Sequence, residues 1–557
     1  MLSFARFFSN IHRMITPAFL LLFAFASPAH AYEGHCGTMT LFENLIKERK
    51  HPGSEASYKV SISSKNEKCQ AQDYYDSVYT IETSHFQVMY VLTGPHATTK
   101  AFADSTAAIF EEAWNFYINK LKMRPPKGPR TSYHFQQKIK EGLYPVEIID
   151  INQIRDNLIN GNGCAENFGI TYPFDNNGTS QIFMENDFYS TCPNQNNRDT
   201  IFVHGDTCLY TKPTNPLRNK THDFLYSKEW NKGLRVTTFH EFYHTIQLSY
   251  ISYLINESFW FEASAAGFEE ITNPEIDDYF RYLPSFFERT GKPLSNTFQN
   301  YGASTLFLYL YHKISNKLEK SIWENFSRNP NKNFEYQIEA ALKELKLDAD
   351  SVFHDYSVRL SFSGQRSSFL NKKEWINDDQ SQWSSAKFNL GNSIKPNIES
   401  LAFDFYHNSK GFTEPDLTDF IGKATVIAYQ DGKATFHKIQ DNKTLNSLAV
   451  ILASSDSTTW VFSRLGQSES IPIVNNTAAP HAFPVPWRNG PLCFAPLPHD
   501  KKFIEIRNRR GNLVSQEKYE GTTFCLQEDQ VKSMMAPGVY RFRVGNKGKT
   551  TSFIVIY

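Results

Sequence analysis

Neither sign of charge is in excess in this chain: 58 Lys and Arg stand against 58 Asp and Glu. No net field draws it towards nucleic acid or anionic lipid, and no long basic run supplies a local one. The seven cysteines never fall in CxxC spacing, which argues against both a cysteine-based structural metal site and a thioredoxin-like redox pair. Beyond the N-terminus, no apolar stretch is long enough to cross a bilayer. No short-period internal repeat is present. What remains is a globular composition, with 40% hydrophobic and 21% charged residues. At 557 residues the chain is too long for one core, and roughly two to four domains are expected.

Arg6 and Arg13 precede an apolar run at 18–26 (AFLLLFAFA), and Ala29-His30-Ala31 follows as a small-x-small cleavage site. This is the pattern of an export signal. Residues 1–31 are therefore set apart from the fold, and the product is expected to be secreted, periplasmic or on the cell surface. A buried helix or membrane anchor is the competing reading. Cys36 follows Glu33-Gly34-His35, which is not a lipoprotein context. Export admits disulfides. Proximity suggests Cys36 with Cys69, Cys493 with Cys525, and Cys192 with Cys208, leaving Cys164 over; the connectivity stays open.

Residues 85–92, 144–151, 168–171 and 180–184 read as strands, and 97–121 as a helix. The polar stretch 189–230 reads as a long surface loop. Helical patterns follow at 233–250, 260–271 and 301–314, around Ile322, and at 336–345. Past residue 368 the texture changes to short β-type runs at 425–429, 448–452, 458–462, 503–507, 538–544 and 551–556. Turns such as Asp431-Gly432, Arg510-Gly511 and Pro537-Gly538 punctuate them.

The chemistry lies at 239–244, Phe-His-Glu-Phe-Tyr-His. On a helix His240 and His244 share a face, with Cβ atoms about 5–6 Å apart, so both imidazoles reach one zinc ion. Glu241, beside the first ligand, is placed to take a proton from water at the metal. The next helix offers Glu262 as third ligand, inside an aromatic cluster followed by Ala263, Ala265, Ala266 and Gly267, small residues that let two helices approach. Glu257 is a rival, in a turn after Asn256. Glu269, on the same face as Glu262, is either an orienting partner for a ligand histidine or a solvated residue.

HEFYH at 240–244 followed by WFEASAAGFEE at 260–270 resembles the gluzincin clan of zinc metallopeptidases, whose ligands are the two histidines and a glutamate on the next helix. The similarity is closer to secreted bacterial metalloproteases of that clan. It runs through TSHFQVMY (83–90), TGP (93–95), IFMENDF (182–188), DYFRYLPSFF (278–287) and YGA (301–303), covering residues 80–365. The resemblance implies one zinc ion, a protein or peptide substrate, and Glu241 as general base. It also implies that the Tyr301 phenol meets the oxyanion, although a tyrosine packed in the core is an equal reading. An extended peptide would pair with an edge strand, here 181–188. The Cys-bearing 189–230 segment is longer than the resemblance calls for. The tail looks like an Ig-like module; similar modules act as sorting domains in some secreted proteins, and a plain accessory sandwich is the other reading.

The expected architecture is thus α+β. A signal peptide (1–31) and a Cys-bearing segment (32–75) precede a zincin-like catalytic domain (76–370), a small sheet followed by helices. A β-sandwich module (385–478) and an Ig-like β module (479–557) follow. Two other functions compete: a peptidase-fold binding protein without catalysis, and a zinc hydrolase of a non-peptide amide or ester. An inert protein has no chemical need for Glu241.

Exported material should begin near Tyr32. Intact-mass spectrometry checks this; a chain from that fraction still carrying residues 1–31 would refute the export reading.

Overall fold

The structure, a computed structural model, describes Thr38 and residues 77–555, apart from 95, 152–167, 175–177, 189–197, 204–205, 212–229, 252–257, 297–300, 391–392, 440–441, 468–480, 484–486, 488–490, 496, 498–502, 520–523 and 546–550. The export signal, Cys36, Cys69, Cys164, Cys192 and Glu257 lie outside the described residues, as does the side chain of Cys208.

Three apolar runs form strands buried along their whole length: β2 (Phe86–Val91), β3 (Tyr144–Ile149) and β5 (Ser180–Glu185). Strands buried on both faces belong in the middle of a layered sheet. β2 and β5 lie parallel to β3 on either side. β1 (Val78–Glu82) and β4 (Gly169–Pro173) add antiparallel edges, giving the order β1-β2-β3-β5-β4. The sequence-based assignment of 181–188 to an edge is therefore corrected. β5 is flanked on both sides, and the edge beside it is β4. An apolar run without alternation marks burial, not position at an edge.

Helix α1 (Lys100–Trp114), capped by the Thr99 hydroxyl, continues in wider turns through Lys120. It joins the sheet to the central helix α2 (Trp230–Tyr250) through an aromatic cluster. The Phe86 ring lies 5.1 Å from Phe110, 5.8 Å from Trp114 and 5.3 Å from Phe242. α2 is buried on nearly every side from Gly233 to Tyr250, as a helix threading a core must be. Helix α3 (Ser258–Thr272) returns along it. The short α4 (Leu283–Phe287) and α5 (Ser304–Tyr309) follow, with α5 widening through Ile314. α6 (Leu318–Arg328), α7 (Phe334–Glu344) and α8 (Ala349–Leu360) complete the helical layer. On α6, Glu319 accepts from Tyr243 of α2 at 2.7 Å and from the Trp323 indole at 2.5 Å. Gly267 of α3 serves the contact with α5, since a Cβ there would meet the Phe307 ring at 2.1 Å.

Residues 198–211, expected as loop, contain a hairpin of β6 (Arg198–Val203) and β7 (Asp206–Thr211). The 385–478 module also departs from expectation. It is one antiparallel sheet, ordered β10-β9-β11-β8, of β8 (Ala402–Asn408), β9 (Lys423–Gln430), β10 (Lys433–Ile439) and β11 (Ser457–Arg464). Phe403, Phe405, Ile427, Tyr429 and Val461 on one face join the main core. The other face is covered by helix α9 (Asn442–Ala453) through Leu445 and Leu452. The run 448–452 is thus helical, where a strand was expected. Leu445, Leu448 and Leu452 recur at i, i+3 and i+7, a period that a five-residue window cannot reveal. His354 of α8 ties this sheet to the helices, 2.7 Å from Ser463 Oγ and 2.8 Å from Thr425 Oγ1. Burial brings its pKa down to about 4, so it is neutral at pH 7.

The last unit has two antiparallel sheets. One is β12 (His481–Phe483), β13 (Leu492–Ala495) and β16 (Phe524–Leu526). The other is β14 (Phe503–Asn508), β15 (Leu513–Lys518), β17 (Gly538–Val544) and β18 (Thr551–Val555). They share a core of Trp487, Phe494, Ile504, Phe542 and Phe553, beside a short helix, α10 (Glu528–Met534). The expected Cys493–Cys525 disulfide joins opposed positions of β13 and β16.

Gly267→Ala should lower stability by about 1–3 kcal/mol, because the packed Phe307 ring must give way; a gain in helix propensity of up to about 1 kcal/mol offsets part of this. Denaturant unfolding measures the change, and an unchanged midpoint would contradict the contact.

Candidate metal centre

Helical spacing stacks His240 over His244, and the returning α3 brings Glu262 to both. The two Nε2 atoms are 3.0 Å apart. Glu262 Oε2 is 3.2 Å from Nε2 of His240, and Oε1 is 3.5 Å from Nε2 of His244. All three side chains are buried.

The second ring nitrogens decide what the first ones carry. His240 Nδ1 donates to the Glu269 carboxylate. His244 Nδ1 lies 2.7 Å from Gln247 Oε1. The Gln247 amide is oriented by its own Nε2, which donates to Phe261 O at 3.0 Å and Ser264 Oγ at 3.1 Å. Both Nδ1 atoms are therefore the protonated ones, and both Nε2 atoms present lone pairs. Two lone pairs and a buried carboxylate, whose oxygens have no hydrogen-bond partner, converge on one point. That is a donor set for a divalent metal ion with imidazole affinity. The residues fit such a group, with their orienting partners in place.

Burial outweighs the pairing with His240 and raises the Glu269 pKa.

Glu241, next to His240 in the chain, is fully buried against β4. Its Oε2 accepts from Thr171 Oγ1 at 2.8 Å and Thr38 Oγ1 at 2.9 Å, while Oε1 has no partner. Gly169 makes this approach feasible: a Cβ there would meet Glu241 Cγ at 2.5 Å. Tyr301 sits in the turn before α5. Its ring stacks between Tyr282, at 4.4 Å, and the ligand His240, at 6.0 Å.

No protein-family profile matches the chain, and no curated protein sequence does. Among solved structures, a similarity is found to PorZ, described as an essential bacterial surface component of the type-IX secretion system of Porphyromonas gingivalis. The identity is 21% and the TM-score 0.14. The match covers 18% of this chain and 14% of that one, and at that score it carries no argument.

His240, His244 and Glu262 are thus brought together, with Glu241, Glu269 and Tyr301 around them. Gln247, Thr171 and Thr38 were not foreseen. The i, i+3 spacing of His244 and Gln247 was a usable signal; the threonines reach Glu241 from 70 and 203 residues away in sequence, and no local pattern announces them.

His240→Ala or His244→Ala should take the purified protein from about one bound divalent metal per chain to nearly none. Glu269→Gln should weaken binding by about 10–100-fold. Elemental analysis after dialysis is the check, and full retention in the double histidine variant would end the assignment.

Proposed function

We propose that the protein is a secreted zinc-dependent peptidase of the gluzincin type, with His240, His244 and Glu262 as zinc ligands. The observation that carries this reading is Glu241: a buried carboxylate next to His240 in the chain, fixed through Oε2 by two hydroxyls and left open at Oε1. A purely structural metal site gives such a residue no task. When bound, zinc supplies a Lewis acid for the scissile carbonyl and makes a nearby water more acidic.

The chain's own residues do the rest. Glu241 Oε1 takes the proton of the attacking water and delivers it to the leaving amine nitrogen. Glu269 and Gln247 hold the ligand imidazoles in the required tautomer. The phenol of Tyr301, beside His240, is assigned to the developing oxyanion. The edge strand β4 is the platform for an extended peptide, a role moved from 181–188 to the true edge. There Thr171 N donates 2.8 Å to Thr38 Oγ1. A substrate pairing at that N–H displaces Thr38 and leaves the Thr171 hydroxyl to hold Glu241 Oε2. The export pattern at 1–31 and the terminal two-sheet unit, read as Ig-like, suit a protein working outside the cytoplasm. No described helix is long and apolar enough to cross a membrane.

Glu241→Gln keeps the shape and removes the base. Cleavage of a peptide library should fall by roughly 10²-fold or more with zinc content unchanged. Tyr301→Phe should cost about 10–10³-fold. A Glu241→Gln protein that cleaves as fast as the wild type rules out this mechanism; a wild type that cleaves no peptide favours the binding protein or a non-peptide hydrolase.

A further inference from the structure

Glu270 follows Glu269 on α3 yet belongs to a different group. One ligand oxygen each from Glu270, Asp277 and Asp379 lies within 4.8 Å of the other two. The three come from separate parts of the chain: the last turn of α3, the turn after it, and the segment beyond α8. Glu270 is only 6% exposed, and its Oε2 has no hydrogen-bond partner. Asp277 Oδ1 is likewise buried without one.

Asp379 accepts from the neutral donors Asn377 Nδ2 and Gln382 Nε2, each at 3.2 Å. Among the described residues no lysine or arginine pairs with any of the three carboxylates; the neighbouring Lys372 pairs with Asp378 instead, at 3.3 Å. Burial first, then a hydrogen bond with Asp379 and the charges of Asp379, Asp277 and Glu275, push Glu270 up to about 9. A proton on Glu270 relieves part of the repulsion. A cation bound by all three relieves more, and it also satisfies the orphaned oxygens.

We propose that Glu270, Asp277 and Asp379 form a second metal site, separate from the His240 centre, that binds calcium. The donors are all oxygen and mostly anionic, the chemistry of a hard cation. Calcium accepts such carboxylate oxygens in flexible geometry, whereas magnesium demands near-ideal octahedral geometry and keeps several waters. Water completes the shell. The bound ion fastens the end of α3 to the segment carrying Asn377 and Trp383. That segment already holds the turn after α3 through the Tyr279 hydroxyl, at 2.9 Å from Asn377 Nδ2 and 2.8 Å from Trp383 Nε1. The site stands whether or not the His240 centre cleaves peptides.

Calorimetric titration of calcium chloride into the full mature chain tests the proposal, alongside thermal melts with and without calcium. The expected result is about one calcium per chain and a melting temperature raised by a few degrees. Glu270→Gln and Asp379→Asn should each weaken binding at least about tenfold and abolish the melting shift, while His240→Ala keeps both. Without calcium, Glu270→Gln should melt no lower than the wild type, since a neutral amide replaces a carboxyl that is already largely protonated. No calcium binding at millimolar concentration by the wild type, affinity unchanged in both carboxylate variants, or tighter binding of magnesium than of calcium would each overturn it.

Discussion

Two imidazole nitrogens that carry lone pairs, 3.0 Å apart and shut away from water, repel each other and the carboxylate beside them unless a cation lies among the three. Much of the fold around α2 is arranged to impose that situation. Glu269 and Gln247 prevent either ring from turning its proton inward, Ser264 and Phe261 O prevent the Gln247 amide from flipping, and burial prevents water from relieving the contact. The arrangement costs stability without the ion and returns it on binding. A fold selected for packing alone would place leucines at these positions.

The same helix explains why β4 matters. α2 is central, so whatever lies against Glu241 must be backbone or a very small side chain, and β4 meets it at Gly169. With no Cβ in the way, Thr171, two residues on along the same face of the strand, reaches Glu241 with its hydroxyl, while its N–H faces away from β5 to Thr38. Glu241 is thus pinned by one oxygen and free at the other. In the proposed reaction this difference separates a base that is aimed from one that is only nearby.

Legibility in the sequence followed the range of the interactions. The ligand histidines and Glu241 share one helical turn, so their spacing announced them. Glu262 and Glu269 followed from period and texture on the next helix. The core strands 86–91, 144–149 and 180–185 were visible as apolar runs, but which of them is an edge depends on pairings between distant segments, and the reading chose β5 where the chain uses β4. The 385–478 region failed for a similar reason. The burial of Phe403, Phe405 and Val461 against the helical layer is a tertiary fact, and a short apolar run such as 448–452 has no period of its own to say helix or strand. The small residues on α3 were read as a groove for α2; Gly267 in fact admits Phe307 of α5.

Helix α3 contributes carboxylates to both of the proposed ion sites. Seven residues are nearly two whole turns at 3.6 residues per turn, so Glu262 and Glu269 look the same way, one towards the Nε2 atoms and the other towards Nδ1 of His240. A single further step rotates the side chain by about 100°, which takes Glu270 out of that group and into the one with Asp277 and Asp379. Neighbouring carboxylates on one helix are thereby committed to opposite kinds of donor set, nitrogen-rich at one and all-oxygen at the other. Under the two proposals each donor set favours a different ion, so neither site would compete for the other's metal. A cation at the second site fixes the end of α3 against the segment beyond α8, and therefore fixes the helix on which Glu262 and Glu269 ride. The position of the third ligand then depends on packing along α2 and on how firmly the far end of α3 is held.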